Sequence, residues 1–213
     1  MNQNPKAKMK PEPTPDPAPD PSLDPSPRRT AAELDVDVAT SGGAWVERCA
    51  DPEALCRRAA KAAFDMALVD GIGLSGDHAE VSVLLSDDER VHGLNRDYRG
   101  IDRPTNVLSF SGNDDEALDH HPDDAPVLLG DIVVAFETVS SEARRDGKTL
   151  DAHLAHMIVH GMLHLMGYDH ETDDDANEME AMEIRVLAHL GVADPYAWPR
   201  SGPDRTTDAK GRG

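Results

Sequence analysis

The chain has 213 residues and a formal net charge of −20, from 21 basic and 41 acidic side chains. Residues 30–199 hold 12 basic and 35 acidic side chains, a balance of −23, whereas both terminal segments are slightly positive. This balance argues against a continuous basic face of the kind that binds duplex nucleic acid, so we expect no DNA partner. Any anionic partner must be met by a local pocket.

The two cysteines and the hydropathy pattern indicate the compartment. Cys49 and Cys56 are seven residues apart, which would place them on one face of a helix and favours packing over a mutual disulfide. A reducing compartment is the simplest interpretation. No stretch has the apolar length of a membrane span or the apolar core of a secretory signal. We therefore expect a cytoplasmic protein that does not associate with membranes.

Both termini have the composition of disordered chain. Nine of the sixteen prolines fall between Pro5 and Pro27, among acidic and small residues that supply almost nothing to bury. Residues 1–30 are therefore predicted to form a disordered, proline-rich tail. Residues 200–213, in which glycines alternate with charges, are predicted to form a second disordered tail. The remaining residues, 31–199, have a length that suits a single folded domain.

The folded part begins with a predicted strand and a predicted helix. Leu34, Val36 and Val38 alternate with aspartates, which is typical of a half-buried strand. Asp51 can then cap a helix with proline at its first position, and Gly71 lies where that helix would end.

The later elements follow from the same kinds of signal. A second strand is predicted at Val81–Leu85, and Ser86 and Glu89 have the spacing of a capping box for a short helix that ends near Asn95. The remaining predicted elements are strands at Val107–Phe110 and Val127–Phe136 and helices at Glu137–Asp146, Leu150–Met166 and Asp174–Leu190.

The order of these elements predicts the fold class. The aspartate-rich segment Ser111–Pro126 is predicted to be a solvated loop between two strands. Strands alternate with helices early in the chain, and helices follow later. This pattern predicts an α+β fold with a small, mixed, four-stranded sheet covered by helices.

A concentration of histidines is the strongest chemical signal in the sequence. Five of the ten histidines lie within residues 153–170, in the stretch HLAHMIVHGMLHLMGYDH. Four of them, His153, His156, His160 and His164, fall within about 80° on a helix. Every buried neutral imidazole needs a partner for its N–H, so packing alone does not explain four of them. The stretch is therefore interpreted as a metal-binding helix.

The spacing of three histidines defines a candidate site. His160 and His164 lie one helical turn apart and can converge on one ion. Gly167 can end the helix and turn the chain, so that His170 approaches from a third direction. The resulting spacing, H-x-x-x-H-x-x-G-x-x-H, is that of the metzincin motif. Here, however, Gly161 occupies the position of the glutamate that follows the first histidine of that motif.

Three neutral nitrogen ligands and a fourth position for water form the usual pattern of a catalytic zinc site with one ion. Three imidazoles also suit several other divalent metals, so the sequence does not distinguish zinc from nickel. An alternative ligand pair, His156 and His160, has the same spacing but leaves no glycine turn for a third ligand. His153 and His156 are interpreted as groups that lie behind the ligands or at the surface.

Four stretches resemble a known family. They are LNRDYRG at 94–100, PTNVLSF at 104–110, LLGDIVVA at 128–135 and HGMLHLMGYDH at 160–170. Together they are similar to the motifs of the YbeY family of rRNA maturation factors, bacterial metal-dependent endoribonucleases. The resemblance implies a single YbeY-like metallohydrolase domain in residues 31–199, with a mixed sheet and helices around a cleft.

The same resemblance implies an activity and partners. It implies a zinc ion on His160, His164 and His170, and a catalytic role for Arg99. The implied substrate is single-stranded rRNA, in 16S rRNA 3′-end maturation and in late 70S ribosome quality control. The implied partners are the ribosome or its small subunit and ribosome-associated proteins.

Several alternatives stay open from the residues themselves. Arg99 could instead form a surface ion pair with Asp97 or Asp102, worth at most about 1 kcal/mol. Asp169 could orient a group at the metal, or it could only cap the turn. The nucleophile of RNA cleavage could be water or the 2′-hydroxyl.

Two other functions are compatible with the sequence. A non-catalytic ribosome assembly factor could use zinc to stabilise its fold. A metalloprotease is less well supported, because Gly161 replaces the glutamate that usually shuttles the proton.

Overall fold

The computed structural model describes residues 32–74, 76–112 and 125–197. The two predicted tails and residues 113–124 of the predicted loop lie outside the described residues. The strands are β1 (Glu33–Thr40), β2 (His78–Ser86), β3 (Val107–Ser111) and β4 (Val127–Ala135). The helices are α1 (Trp45–Arg48), α2 (Pro52–Asp70), α3 (Asp88–Arg99), α4 (Phe136–Arg145), α5 (Leu150–Leu165) and α6 (Asp173–His189).

The four strands form one mixed sheet in the order β1-β2-β4-β3. Strands β1, β2 and β4 are parallel, and β3 pairs antiparallel with β4 at one edge. Parallel neighbours need crossover connections, which α2 supplies between β1 and β2. The predicted α+β class, with a small mixed sheet and surrounding helices, is confirmed.

The two faces of the sheet are covered unequally. Helices α2 and α5 pack on one face and α3 packs on the other, while α6 packs on α2 and α5. In β1, Leu34 and Val38 are buried beneath the helices, whereas Asp35 and Asp37 are exposed on the opposite face. The period-2 alternation in the sequence thus distinguishes the buried face from the open one.

The helix caps are confirmed in one case and corrected in another. Asp51 caps α2 by accepting a hydrogen bond from the Ala54 N–H at 2.9 Å. The predicted capping box at Ser86 is wrong, because Ser86 is the buried last residue of β2. Asp87 caps α3 instead and accepts from the Arg90 N–H at 3.0 Å.

Helix α3 also extends further than predicted. It continues past Asn95 to Arg99 and ends at Gly100, whose φ of +69° closes the helix. The side chain of Asn95 is buried and donates to the carbonyl of Arg103, so its amide stabilises the segment after the helix instead of ending it. This extension places Arg99 in the last turn of α3, next to β3.

A short helix, α1, was not predicted. Trp45 begins it and is fully buried. The indole N–H of Trp45 donates to the carbonyl oxygen of Ser86 at 2.9 Å, and its ring packs edge-on against Phe136. Helix α1 ends at Arg48 and α2 begins at Pro52, so Cys49 lies outside both helices. The expectation that the two cysteines share one helix face is therefore wrong.

The cysteines are nevertheless packing residues. Cys49 and Cys56 are free and buried, and burial raises the pKa of each thiol to about 12. Within the described ranges, no helix combines the length and apolar character needed to cross a membrane.

Candidate metal centre

Helix α5 carries the histidine stripe and has well-defined ends. The Thr149 hydroxyl caps it by accepting from the Ala152 N–H at 3.1 Å. The helix ends at Leu165, and Gly167 follows with a φ of +92°, a conformation that glycine adopts without strain. The chain then reverses direction, as the sequence predicted, and brings residues 168–170 back beside α5.

The structure brings the three predicted ligands together. One nitrogen each from His160, His164 and His170 lies within 4.8 Å of the other two. The Nε2 atoms of His160 and His164 are 3.1 Å apart, and the ring centroids of His164 and His170 are 4.9 Å apart. Three imidazoles therefore converge on a single point at the end of α5.

Hydrogen bonds on the far side of two rings assign their tautomers. The Nδ1 of His160 lies 2.7 Å from Oε1 of Glu183, and the Nδ1 of His164 lies 3.1 Å from the carbonyl oxygen of Tyr168. Both partners are acceptors, so each Nδ1 carries the proton and each Nε2 presents a lone pair. Two bare nitrogens facing each other are the donor set that a divalent metal requires, and the residues fit such an ion.

The protonation state of His164 agrees with this role. Burial lowers the pKa of His164, and the neighbouring imidazoles of His160 and His170 lower it further. A lowered pKa keeps the ring neutral at neutral pH. Metals bind the neutral imidazole, so a ligand that is already deprotonated does not compete with protons at that pH.

The turn after α5 is held by a second set of contacts. The Tyr168 hydroxyl donates to Oδ2 of Asp70 at 3.1 Å, and Arg185 donates to Oδ1 of the same carboxylate at 2.8 Å. The Arg185 guanidinium lowers the pKa of Asp70, which keeps the carboxylate charged. The position of the Tyr168 carbonyl, and with it the orientation of His164, therefore depends on contacts from α2 and α6.

The other two histidines of the stripe do not join the cluster. His156 donates to Oε2 of Glu183 at 3.0 Å, and His153 donates to Oε2 of Glu142 at 2.9 Å. His153 is 5% exposed and His156 is 9% exposed, so neither lies at the surface. The alternative ligand pair of His156 and His160 gains no support. The Nε2 of His156 is bound to the Glu183 carboxylate, and the nitrogens that converge with His160 are those of His164 and His170.

Arg99 lies in a cleft with two of the ligands. The cleft has a volume of about 330 Å³ and is lined by Arg99, Ser109, Ser111, His164, Leu165, Asp169, His170 and Glu171. The guanidinium of Arg99 donates to the main-chain carbonyl of Ser109 at 3.3 Å. The structure does not support the alternative ion pairs, because Asp97 is bound by Arg96 and Asp102 by His92. Within the described residues, Arg99 therefore has no carboxylate partner and can meet an anion in the cleft.

The structure explains why a small residue occupies position 161. A Cβ added there would lie 3.0 Å from Cγ2 of Ile132 and 3.0 Å from Oγ of Ser109. The carbonyl of Gly161 also accepts a hydrogen bond from the Ser109 hydroxyl at 3.3 Å. Helix α5 therefore packs closely on β3 and β4 at this point, and a side chain at position 161 would require Ile132 and Ser109 to shift.

Asp169 has a local contact. Its Oδ1 accepts a hydrogen bond from the main-chain N–H of His170 at 2.7 Å. This contact fits the capping role that the sequence left open, and it restrains the backbone that presents His170.

Glu183 was missed by the sequence reasoning. It lies on α6 within a stripe of core residues that includes Met179, Met182 and Val186, and it is only 1% exposed. By its spacing alone, this stripe has the pattern of ordinary core packing. A glutamate in the middle of an apolar stripe is the signal that could have revealed it, because charged residues are rarely buried without a partner.

Comparison with known proteins agrees with the motifs found in the sequence. A family model described as "Endoribonuclease YbeY" matches residues 51–191. A curated relative of that name from Paramagnetospirillum magneticum is 50% identical over 165 residues, covering 77% of this chain and 95% of the relative. Another from Bradyrhizobium diazoefficiens is 48% identical over 161 residues, covering 76% of this chain and 84% of the relative.

A solved structure is also similar. The solution structure of TM1509 from Thermotoga maritima matches with a TM-score of 0.43 and 22% identity, covering 84% of this chain and 100% of that one. The family match and the identity to curated relatives are the decisive findings, and Arg99, the three histidines and Glu183 all lie inside the matched residues. The chain belongs to the YbeY family.

Proposed function

We propose that the protein is a single-strand-specific, zinc-dependent endoribonuclease that acts in 16S rRNA 3′-end maturation and late 70S ribosome quality control. One observation carries this proposal: Arg99 and two of the three convergent histidines, His164 and His170, line the same cleft. The names of the curated relatives supply the reaction class, since each is called an endoribonuclease.

Arg99 is suited to bind a phosphodiester. Among the described residues, its side chain has a main-chain carbonyl as hydrogen-bond partner and no carboxylate. A guanidinium offers a planar pair of N–H donors that matches two phosphate oxygens, and it stabilises the charge that grows in the transition state. We therefore assign to Arg99 the binding and charge stabilisation of the scissile phosphate.

The three histidines would hold the metal. A bound zinc ion lowers the pKa of water from 15.7 to about 7 and polarises a phosphoryl oxygen. Elemental analysis of protein purified without a metal-affinity tag will distinguish zinc from nickel and other divalent ions.

The charge of the molecule limits how it meets RNA. Residues 30–199 carry a charge balance of −23. Two of the acidic side chains counted in it, Asp169 and Glu171, line the cleft itself. A divalent ion and Arg99 make the cleft locally attractive to phosphate, while the surrounding surface repels it. We expect naked RNA to bind weakly with a shallow salt dependence, and the ribosome or a ribosome-associated protein to supply affinity.

The proposal is tested by Arg99→Ala, with Arg96→Ala as a matched control. Arg96 lies in the same turn of α3 but is bound by Asp97 at the surface. We expect Arg99→Ala to cleave single-stranded RNA about 10²–10³-fold more slowly with unchanged metal content, and Arg96→Ala to cleave at the normal rate. Full activity of Arg99→Ala would remove Arg99 from the mechanism.

The cellular role is tested by sequencing rRNA 3′ ends from cells depleted of this protein. Unprocessed 16S 3′ ends should accumulate. Mature ends at the normal level would contradict the maturation role, whatever the purified protein does to RNA.

The alternative of a non-catalytic assembly factor is tested by His164→Ala. If zinc only stabilises the fold, this variant should melt at a lower temperature than the metal-bound wild-type protein. In that case the wild-type protein itself should not cleave RNA. If the site is catalytic, the variant should stay folded and lose cleavage. The metalloprotease alternative loses support, because Gly161 supplies no base and a side chain at this position would press against Ile132 and Ser109.

A further inference from the structure

Glu183 is a buried carboxylate whose two oxygens are both occupied. Oε1 accepts a hydrogen bond from Nδ1 of His160 at 2.7 Å. Oε2 accepts from Nε2 of His156 at 3.0 Å and from the hydroxyl of Tyr196. Three donors from two separate parts of the chain, α5 and the segment after α6, thus fix one carboxylate in position.

These contacts surround the carboxylate of Glu183 inside the protein. The side chain is 1% exposed, so water has almost no access to its oxygens. The position of the carboxylate is therefore set by its protein partners, and Oε1 lies directly behind the predicted ligand His160.

No lysine or arginine in the described part of the chain forms an ion pair with Glu183. The partners of its carboxylate are the imidazoles of His156 and His160. An ionised group is costly to bury without a countercharge. A divalent cation on Nε2 of His160 would supply that countercharge through the imidazole ring.

We propose that Glu183 is the positioning residue of the metal centre, and that His156 and Tyr196 hold its carboxylate in place. Glu183 fixes the proton of His160 on Nδ1, so that Nε2 is bare, and its negative charge favours a cation at that nitrogen. The inference rests on the proposed function only in that it takes His160, His164 and His170 as metal ligands.

The same helix offers a matched control pair. Glu142 accepts a hydrogen bond from Nε2 of His153 at 2.9 Å, and that histidine is also buried. His153 does not belong to the convergent group of ligands. A change at Glu142 therefore disturbs a buried histidine–carboxylate pair of the same chemistry without touching a ligand.

The test is the zinc affinity of the full chain, measured by competition with a chromophoric chelator. We expect Glu183→Gln to bind zinc about 10–100-fold more weakly than wild type, because an outer partner of a ligand typically contributes that much. Tyr196→Phe should show a smaller loss, and Glu142→Gln should bind zinc within about twofold of wild type. Zinc binding by Glu183→Gln at wild-type affinity would overturn the proposal.

A measurement on the wild-type protein covers the case in which Glu183→Gln does not fold. Long-range ¹H–¹⁵N spectra of the metal-free protein distinguish the two neutral histidine tautomers. We expect His160 to be protonated on Nδ1, and a proton on Nε2 would overturn the proposal. Neither measurement reads RNA cleavage, so a protein that binds zinc through this network but cleaves no RNA would refute the proposed function alone.

Discussion

Two groups of side chains in the described residues have the composition and proximity of a metal site. One is the convergent triad of His160, His164 and His170 at the end of α5. The other, which we call the sheet cluster, consists of Asp35, His78 and Glu80 on the open face of β1 and β2. By proximity alone the two groups are equivalent.

They differ in what surrounds the potential ligand atoms. The side chain of His160 is 26% exposed and is backed by Glu183, whereas His78 is 42% exposed and Asp35 is 68% exposed. In the sheet cluster, the Nε2 of His78 lies 3.0 Å from the Asp35 carboxylate, so this nitrogen already has an acceptor. In the triad, the bonded nitrogens face away from the point of convergence.

We infer that contacts on the far side of the ligand rings separate a group suited to bind a metal from a surface cluster. A ligand nitrogen must be bare, and a partner on the other side of the ring makes it so. Exposed charged groups gain little from one another, because water and salt screen them. We therefore expect one tightly bound ion per chain, held by the triad.

The largest expected effect is that of His164→Ala on metal binding. Removing one of three ligands should weaken zinc binding by more than about 100-fold, beyond the loss typical of an outer partner. His78→Ala is the matched control and should retain one zinc per chain with unchanged affinity. Equilibrium dialysis with elemental analysis measures both. If His164→Ala retained the ion and His78→Ala lost it, the sheet cluster would be the metal site.

A second prediction concerns the packing of the protein around the triad and around the sheet cluster. Gly161→Glu places a charged side chain against Ile132 and Ser109, so we expect a loss of about 3 kcal/mol in the free energy of unfolding. Glu80→Gln, on the open face of the sheet, should change stability by less than about 0.5 kcal/mol. Urea unfolding of the metal-free proteins measures both. Equal stability of Gly161→Glu and wild type would show that α5 is not tightly seated on the sheet.

The smallest expected effect concerns the pair of Glu142 and His153, whose side chains are 23% and 6% exposed. The hydrogen bond from His153 lowers the pKa of Glu142 below the ordinary 4.5, against the effect of burial. The ionised form is then more stable in the folded protein, so this stabilisation is complete above pH 4.5 and is lost as the pH falls below it.

Glu142→Gln should therefore flatten the acid side of the stability curve, while Asp35→Asn, in the exposed pair, should leave it unchanged. Thermal melts between pH 3 and 7 measure the slopes. An unchanged slope in Glu142→Gln would mean that the Glu142–His153 pair does not contribute to acid stability.

The fold was largely predictable because its signals are local. The alternation in β1 and the cap of α2 each depend on residues only a few positions apart. The cap of α3 was misplaced because Ser86 and Asp87 are both good caps, and only the pairing of β2 with β4 decides between them. Helix α1 could not be predicted, because the buried contacts of Trp45 come from residues distant in sequence.

In the candidate site, too, the residues related by local spacing could be predicted, whereas those brought together by packing could not. The spacing of His160, His164 and His170 is a local property of one helix and one turn. The position of Arg99 beside them depends on α3 reaching β3, and the family resemblance supplied that expectation. Glu183 and Tyr196 could not be assigned from spacing, because they meet α5 only when α6 packs on it.

The contact between Glu183 and His160 also has a consequence for the order of events during synthesis. A ribosome makes the chain from its N-terminus, so all three ligands exist before Glu183 and Tyr196 are added. Until α6 docks, the contact by which we propose that Glu183 fixes the proton of His160 is absent, so we expect the nascent histidines to bind metals with little selectivity. We expect tight metal loading to wait for this docking. A metal acquired before it would be exchangeable, and one acquired after it would be retained.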